Sequence, residues 1–517
     1  MKRFSALLLA GILFICSFGM IGCSQTENDT NVLRVCNCED YIDESLLDEF
    51  EDEFGIKVEY STFGTNENLY NELVINPNSY DLVVPSEYMI EKLAMEGRIQ
   101  KLNKPGYVNQ LSNYQTNVSP YIKGRLEQLT FTPTEGDDKG TLVSIYDYMV
   151  GYMWGTMGWV YNTKEVTEEE VSSWDGVFAN QNLKKKITIK DAVRDSYIVG
   201  LAMVYGDELT NATTTEEISS ILNRVEKKDI DKVGSKLKSL KPMLYGFEVD
   251  SGKNDIVLGN IYAYVAWSGD AAYAIDVAKQ VVEDDDGQMI DDRLYRELSY
   301  KIPDEGSNIW FDGFVMPSAS TNYDAAYKFL EFISRPENAY RNMNETGYTS
   351  MIANGDFELE VEEEDGTTNV ITTNLFNAVA VDWFDESADL GPEDEKEIID
   401  ISYFYGAPNG QYQVTVSKEE YGRFISQFPT LEIVNRCAIM KNFDAKTLEE
   451  INHMWESVKY ETFPIGVIIA FFVLVVVIAL IVVLYNNRDK IKWLKLPEQD
   501  KTAMEMKGYK AIKKESV

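Results

Sequence analysis

The chain has 517 residues, with 85 Asp and Glu against 48 Lys and Arg and a net charge of −37. That balance excludes nucleic acid as a partner, because phosphate binding needs clustered Lys and Arg. One histidine and five cysteines are too few for a Ser-His-Asp triad, a multi-histidine metal site or a disulfide scaffold, so no metal or cofactor is expected and an enzyme is the least expected class.

Residues 1–23 carry Lys2 and Arg3, an apolar stretch from Leu7 to Ile21 that includes Cys16, and Cys23 before the polar run SQTENDT. This is the pattern of an export signal. Its end resembles a bacterial lipoprotein cleavage box, which implies a lipid on Cys23. An ordinary signal peptide or an uncleaved anchor is the other reading.

About 430 residues then precede the next long apolar run, more than one core ordinarily holds, so two domains or lobes are expected. VLRVCN (32–37) reads as a strand, DESLLDEFEDEFG (43–55) as a helix closed by Gly55, and IKVEYST (56–62) and YDLVVPS (80–86) as strands. Strand, helix and strand in succession imply an α/β fold with a parallel sheet. KKKITIKD (184–191), IYAYVAW (261–267) and GFVMPSAS (313–320) repeat the pattern of a buried strand ending in a polar or aromatic residue. Ligand sites in such sheets lie beyond the carboxyl ends of the strands.

Two acidic stretches follow. EDDDGQMIDD (283–292) shares Asp286-Gly287 with a calcium loop, but Val282 and Arg293 stand at its first and closing ligand positions, so it fails that pattern. ELEVEEEDGTTNV (358–370) reads as an acidic hairpin or loop with a solvated face. Farther on, residues 465–485 carry no charge over about 31 Å of helix, enough to cross a hydrocarbon core. Glu456 and Glu461 precede this run, and Arg488, Lys490, Lys492 and Lys495 follow it. The positive-inside rule then puts the basic tail 486–517 in the cytoplasm and the region between the two anchors outside.

At the carboxyl ends of the strands two residue types recur. They are Asp40 and Tyr41, Ser86 and Tyr88, Asp191 and Asp195, Trp267 and Asp270, and Trp310 and Asp312, with Tyr348 farther on. Singly each is ordinary: Trp or Tyr after a strand is core packing, and Asp191 and Asp195 suit the cap of a helix starting at about Ser196. Together they suit an amine. Aromatic faces attract cations at about 0.5–2 kcal/mol per contact, and a carboxylate 4 Å from an ammonium contributes roughly 4 kcal/mol at an effective dielectric of 20. A short apolar chain with an amine at each end would use both.

The blocks NCEDYIDESLLDEFEDEFGIKVEYSTFGTNENLY (37–70), YDLVVPSEYMIEKLAMEGRIQKLN (80–103), YMWGTMGWVYN (152–162), WSGDAAYA (267–274), IPDEGSNIWFDGFVMPSASTNYDAAYKFLEFISRPENA (302–339) and ETGYTS (345–350) stand in an order that resembles the spermidine/putrescine-binding proteins of bacterial ABC importers. The resemblance covers 31–350 strongly and 370–460 weakly. It implies a type II periplasmic-binding fold whose lobes, 31–154 with 311–357 and 155–310 with 358–460, close on a ligand. The chain would cross between them near Trp154-Gly155, near Trp310–Asp312 and within 350–370. The resemblance further implies aromatic walls from Tyr41, Tyr88, Trp267, Trp310 and Tyr348, a hydrogen-bond partner in Ser86, and Asp312 holding one terminal amine. Asp191 and Asp195 would hold the other, and Asp40 and Asp270 match acids of putrescine-type sites.

Cys38 stands where that family commonly has a tryptophan, which places it at the pocket rim with one wall removed. A bridge from Cys38 to Cys36 would span about 6.5–7 Å between α-carbons, near the upper limit, and no basic neighbour is at hand to lower the thiol's pKa. The implied function is a membrane-anchored solute-binding component that takes putrescine or spermidine on the extracellular or periplasmic face and delivers it to a permease and its ATPase. The alternative is a surface sensor or binding protein for another organic cation or an amino acid, without a transport role.

Overall fold

The structure, a computed structural model, describes residues 31–102, 111–279, 297–362, 367–381, 384, 396–460 and 465–486. The signal segment with Cys16 and Cys23, the stretch 283–292 and the basic tail from 487 onward lie outside the described residues. The chain divides into two compact units, one ending at Trp455 and one beginning at Glu456.

The first unit is built on one mixed sheet. Its main strands are β1 (Val32–Cys38), β2 (Lys57–Phe63), β3 (Leu82–Val83), β4 (Met149–Asn162), β5 (Ile187–Lys190), β6 (Leu244–Glu248), β7 (Ala263–Trp267) and β8 (Ser307–Pro317), in the order β2-β1-β3-β8-β4-β7-β5-β6. β1 runs parallel to β2 and β3, and β5 runs parallel to β6 and β7. Between these two parallel sets lie β8 and β4, antiparallel to each other and to their outer neighbours. Every residue of β4 and β8 is buried, as expected of strands covered on both faces, which read as near-continuous apolar runs. In this pair Trp310 faces Gly155 and Phe311 faces Trp154, and the register shifts between Asp312 and Gly313. Such an irregularity bends the strand and re-aims its side chains.

Helices follow directly on strands: α1 (Ser45–Phe54) after β1, α2 (Asn66–Ile75) after β2, α3 (Glu87–Met95) after β3, α4 (Val193–Val204) after β5 and α5 (Ser268–Lys279) after β7. Strand carboxyl ends and helix amino ends therefore gather on one side of the sheet, where α/β folds bind their ligands. α1 buries Leu46 and Phe50 and stops at Gly55, whose φ of 66° is left-handed and whose N–H reaches the Glu51 carbonyl at 2.8 Å.

Three expectations shift. The strand expected over 80–86 shortens to Leu82–Val83, because Pro85 has no N–H to continue a ladder. The strand expected from Gly313 begins at Ser307, where full burial carries the pairing further. α4 begins at Val193, with Ala192 at its N-cap and no side-chain cap, so neither Asp191 nor Asp195 caps it. The acidic stretch is a hairpin, with Asp356–Glu362 paired antiparallel to Thr368–Asn374.

Helix α6 (Ala445–Lys459) closes the first unit and runs into the second, which also holds α7 (Ile465–Asn486). The described side chains of α7, Phe472 to Tyr485, are exposed and cover about 21 Å of helix. Among the described residues no helix is long and apolar enough to cross a membrane. The span expected over 465–485 is therefore without structural support.

Candidate functional site

A cavity of about 110 Å³ lies at the carboxyl ends of β1, β3 and β7, room for several waters at about 10–15 Å³ each, so it is not a filled core. Cys38, Tyr41, Ser86, Tyr88, Asp195, Trp267, Asp270, Trp310, Asp312 and Tyr348 all line it. Asp40 and Asp191 do not. The Asp40 side chain is 74% exposed and pairs with Lys253 at 3.1 Å, on a backbone turned to a left-handed φ of 50° that carries the side chain away. Asp191 accepts from the Trp455 indole at 3.3 Å. Successive residues at a strand end face opposite ways, so when Lys190 points in, Asp191 points out.

One half of the cavity centres on Asp312. The Tyr41 hydroxyl donates to its Oδ2 at 2.8 Å, and Tyr41 meets the edge of Tyr348 at 4.8 Å between ring centroids, with Trp310 5.6 Å from Tyr348. Ser86, which pairs with Asp312 across an isolated bridge, is held by Asn66: the Ser86 N–H donates to Asn66 Oδ1 and Asn66 Nδ2 donates to Ser86 Oγ, both at 3.0 Å. Among the described residues Asp312 Oδ1 and Trp310 Nε1 are buried with no hydrogen-bond partner. Burial pushes the Asp312 carboxyl up to about 6, opposed by the nearby Ser86 hydroxyl and by the Tyr41 hydrogen bond. A buried carboxylate with a bare oxygen is costly unless a cation or donor meets it.

The other half is lined by Arg194, and Lys190 lies directly behind its Trp267 and Asp270. Lys190, with its side chain 1% exposed, sits 3.3 Å from Asp270 Oδ2 and 3.5 Å from Glu248 Oε1. Its ammonium donates to the Val249 carbonyl at 2.7 Å and lies 4.1 Å from the Trp267 ring centroid. The remaining oxygen of Asp270 accepts from the Tyr348 hydroxyl at 2.9 Å. Arg194, also buried, places its guanidinium 4.7 Å over Tyr88 and 3.7 Å over Phe443, while the Tyr88 hydroxyl donates to Glu67 at 3.1 Å. Burial pushes Asp195 up to about 7 against the pull of Lys190.

Lys190, Arg194, Glu67 and Glu248 were not among the expected site residues. The signal for Lys190 is the alternation in ITIK, which sets Thr188 and Lys190 on one face, both buried. Cys36, Cys38 and Cys437 are free thiols. Burial, then the Asp312 charge, push the Cys38 thiol well above its usual range, so it is not a reactive thiolate.

The model of the bacterial extracellular solute-binding protein family matches residues 45–362. The spermidine/putrescine-binding periplasmic protein of Salmonella typhimurium is 28% identical over 67% of this chain and 84% of its own length. The putrescine-binding periplasmic protein SpuD of Pseudomonas aeruginosa is 30% identical over 65% of this chain and 82% of its own. Among solved structures, the TpPotD lipoprotein of Treponema pallidum superposes with a TM-score of 0.52 at 16% identity, covering 83% of this chain and 99% of that one. A protein of Listeria monocytogenes titled for spermidine/putrescine ABC transport gives 0.56 at 24%, covering 84% and 100%. The fold is thus the mixed α/β fold of type II periplasmic-binding proteins. Such relatives bind solutes rather than transform them, and the chain is not an enzyme. It belongs to the bacterial extracellular solute-binding protein family.

Proposed function

We propose that this chain is the solute-binding component of a polyamine ABC importer and holds one ammonium of putrescine or spermidine on Asp312. The observation that carries this is the bare, buried oxygen of Asp312 inside walls of Tyr41, Trp310 and Tyr348, since an ammonium supplies the missing donor and its methylenes cover aromatic faces. The names of the relatives, spermidine/putrescine-binding and putrescine-binding, support the same ligand class. Ser86, Tyr88, Asp195, Trp267 and Asp270 complete the ligand set with Cys38 at its rim. Asp40 and Asp191, paired with Lys253 and Trp455, lie outside this set.

The lobes are 31–154 with 311–357 and 155–310 with 358–460. In support, among the described residues the sheet joins its two parallel strand sets through β4 and β8, paired at Trp154-Gly155 and Trp310-Phe311. Ligand contacts from both lobes drive closure, because they are complete only in the closed state, and the loaded protein delivers the amine to a permease and its ATPase. The protein works on the extracellular or periplasmic face. A lipid on Cys23 holds it there, supported by the cleavage-box pattern that ends the apolar N-terminal stretch.

Calorimetric titration of the full chain with putrescine, spermidine and spermine tests the function. Saturable binding of at least one is expected; no heat from any of them in a folded sample would sink it.

A further inference from the structure

The two halves of the cavity differ in one respect that bears on selectivity. Around Asp312 the aromatic faces of Tyr41, Trp310 and Tyr348 surround a carboxylate with a bare oxygen. Around Trp267 an ammonium is already in place. Lys190 has a ring face at 4.1 Å, a carboxylate oxygen on either side at 3.3 and 3.5 Å and a carbonyl at 2.7 Å. Those are the contacts that a ligand ammonium would seek in an aromatic and acidic pocket. Both Asp270 oxygens are engaged, one by Lys190 and one by the Tyr348 hydroxyl. Two like charges 3–4 Å apart in a desolvated site repel strongly, so a second ammonium cannot share this position with Lys190. Of the other carboxylates that line the cavity, Glu39, Glu67, Asp195 and Asp250, Asp195 is the buried one and is left for a second ligand amine.

We propose that Lys190 is a specificity-determining residue: it fills an ammonium subsite formed by Trp267, Asp270 and Glu248, and so makes the protein select a short diamine over longer polycations. This rests on the amine reading of the cavity. A diamine spans Asp312 and Asp195. A triamine must place a further charge, and the subsite that suits it is closed by the protein's own ammonium.

The test is calorimetry of the full chain and of Lys190→Gln, Lys190→Arg and the double variant Lys190→Gln/Glu248→Gln, each titrated with putrescine and with spermidine. The parent is expected to bind putrescine more tightly. In Lys190→Gln the ratio of the spermidine to the putrescine dissociation constant is expected to fall at least tenfold, and Lys190→Arg, which keeps the charge, is expected to stay near the parent ratio. The double variant removes one of the carboxylates left unpaired and gives the same readout if the single variant does not fold. An unchanged ratio in a folded Gln variant, or a parent that prefers spermidine, overturns the role of Lys190 and leaves amine binding intact. No binding of either amine by the parent or any variant overturns the amine reading and this inference with it.

Discussion

Asp312 is the residue on which ligand binding turns, and its environment sets how. Replacing it by Asn leaves a desolvated ligand ammonium without its counter-charge, so binding of the preferred amine is expected to weaken by about 2–5 kcal/mol, read as a rise in dissociation constant. Its carboxyl titrates at about 6, raised by burial, and only the ionised form holds an ammonium. With Asp195, the partner of the second amine, at about 7, affinity is therefore expected to level off only above about pH 8 and to fall more steeply below 6 than the roughly tenfold per unit of a single carboxyl, which titrations at pH 5, 6 and 8 measure. The same shift acts on stability in the opposite sense. A carboxyl whose folded pKa is raised contributes stability at low pH that is lost as pH rises through that value, and Asp195 at about 7 and Glu87 at about 8 act alike. A bound ammonium offsets the loss, so the ligand-induced rise in melting temperature is expected to be larger at pH 8 than at pH 5. Trp267 and Asp270 were legible in the sequence because an aromatic and an acid at the end of an apolar strand are conspicuous, whereas Trp310 and Asp312 lie within β8 and were legible through the resemblance of their block. Lys190 was not, because a lysine next to an aspartate reads as a solvated strand end, and only the three-dimensional approach of Trp267, Asp270 and Glu248 makes it a buried ion.

At the level of elements, close backbone approaches hold the aromatic walls. A Cβ on Gly269, in the first turn of α5, would lie 2.2 Å from the Tyr348 ring, and one on Gly155 of β4 would lie 2.5 Å from the Trp310 ring and 2.3 Å from Ser268 Oγ. Gly269→Ala is expected to cost about 1–3 kcal/mol of folding stability by overpacking, read in urea unfolding, and to weaken amine binding by displacing Tyr348 from Asp270. The strands of these elements could be read from their apolar runs and the stop of α1 from Gly55. The helix start at Val193 could not, since Asp191 and Asp195 are ordinary capping residues and it is tertiary contact, Trp455 on one and the cavity on the other, that draws both away.

Across the whole molecule, the sheet carries two parallel sets joined by β4 and β8. The alternation of strand and helix made the α/β class legible, whereas the antiparallel joint did not follow from any local pattern, because register between segments some 150 residues apart is fixed by packing rather than by neighbours in sequence. If the joint is a hinge, spin labels at Glu44→Cys and Tyr245→Cys, both exposed positions that flank opposite strand sets, are expected to approach when putrescine is added. An unchanged distance distribution at saturating putrescine would count against closure.

The central claim, an ammonium seated on Asp312, is tested most directly by a crystal structure of the full chain with putrescine. A ligand nitrogen about 2.7–3.2 Å from Asp312 Oδ1, with the methylenes against Tyr41, Trp310 and Tyr348, is the expected result. Putrescine bound elsewhere, with that oxygen still bare, would contradict it.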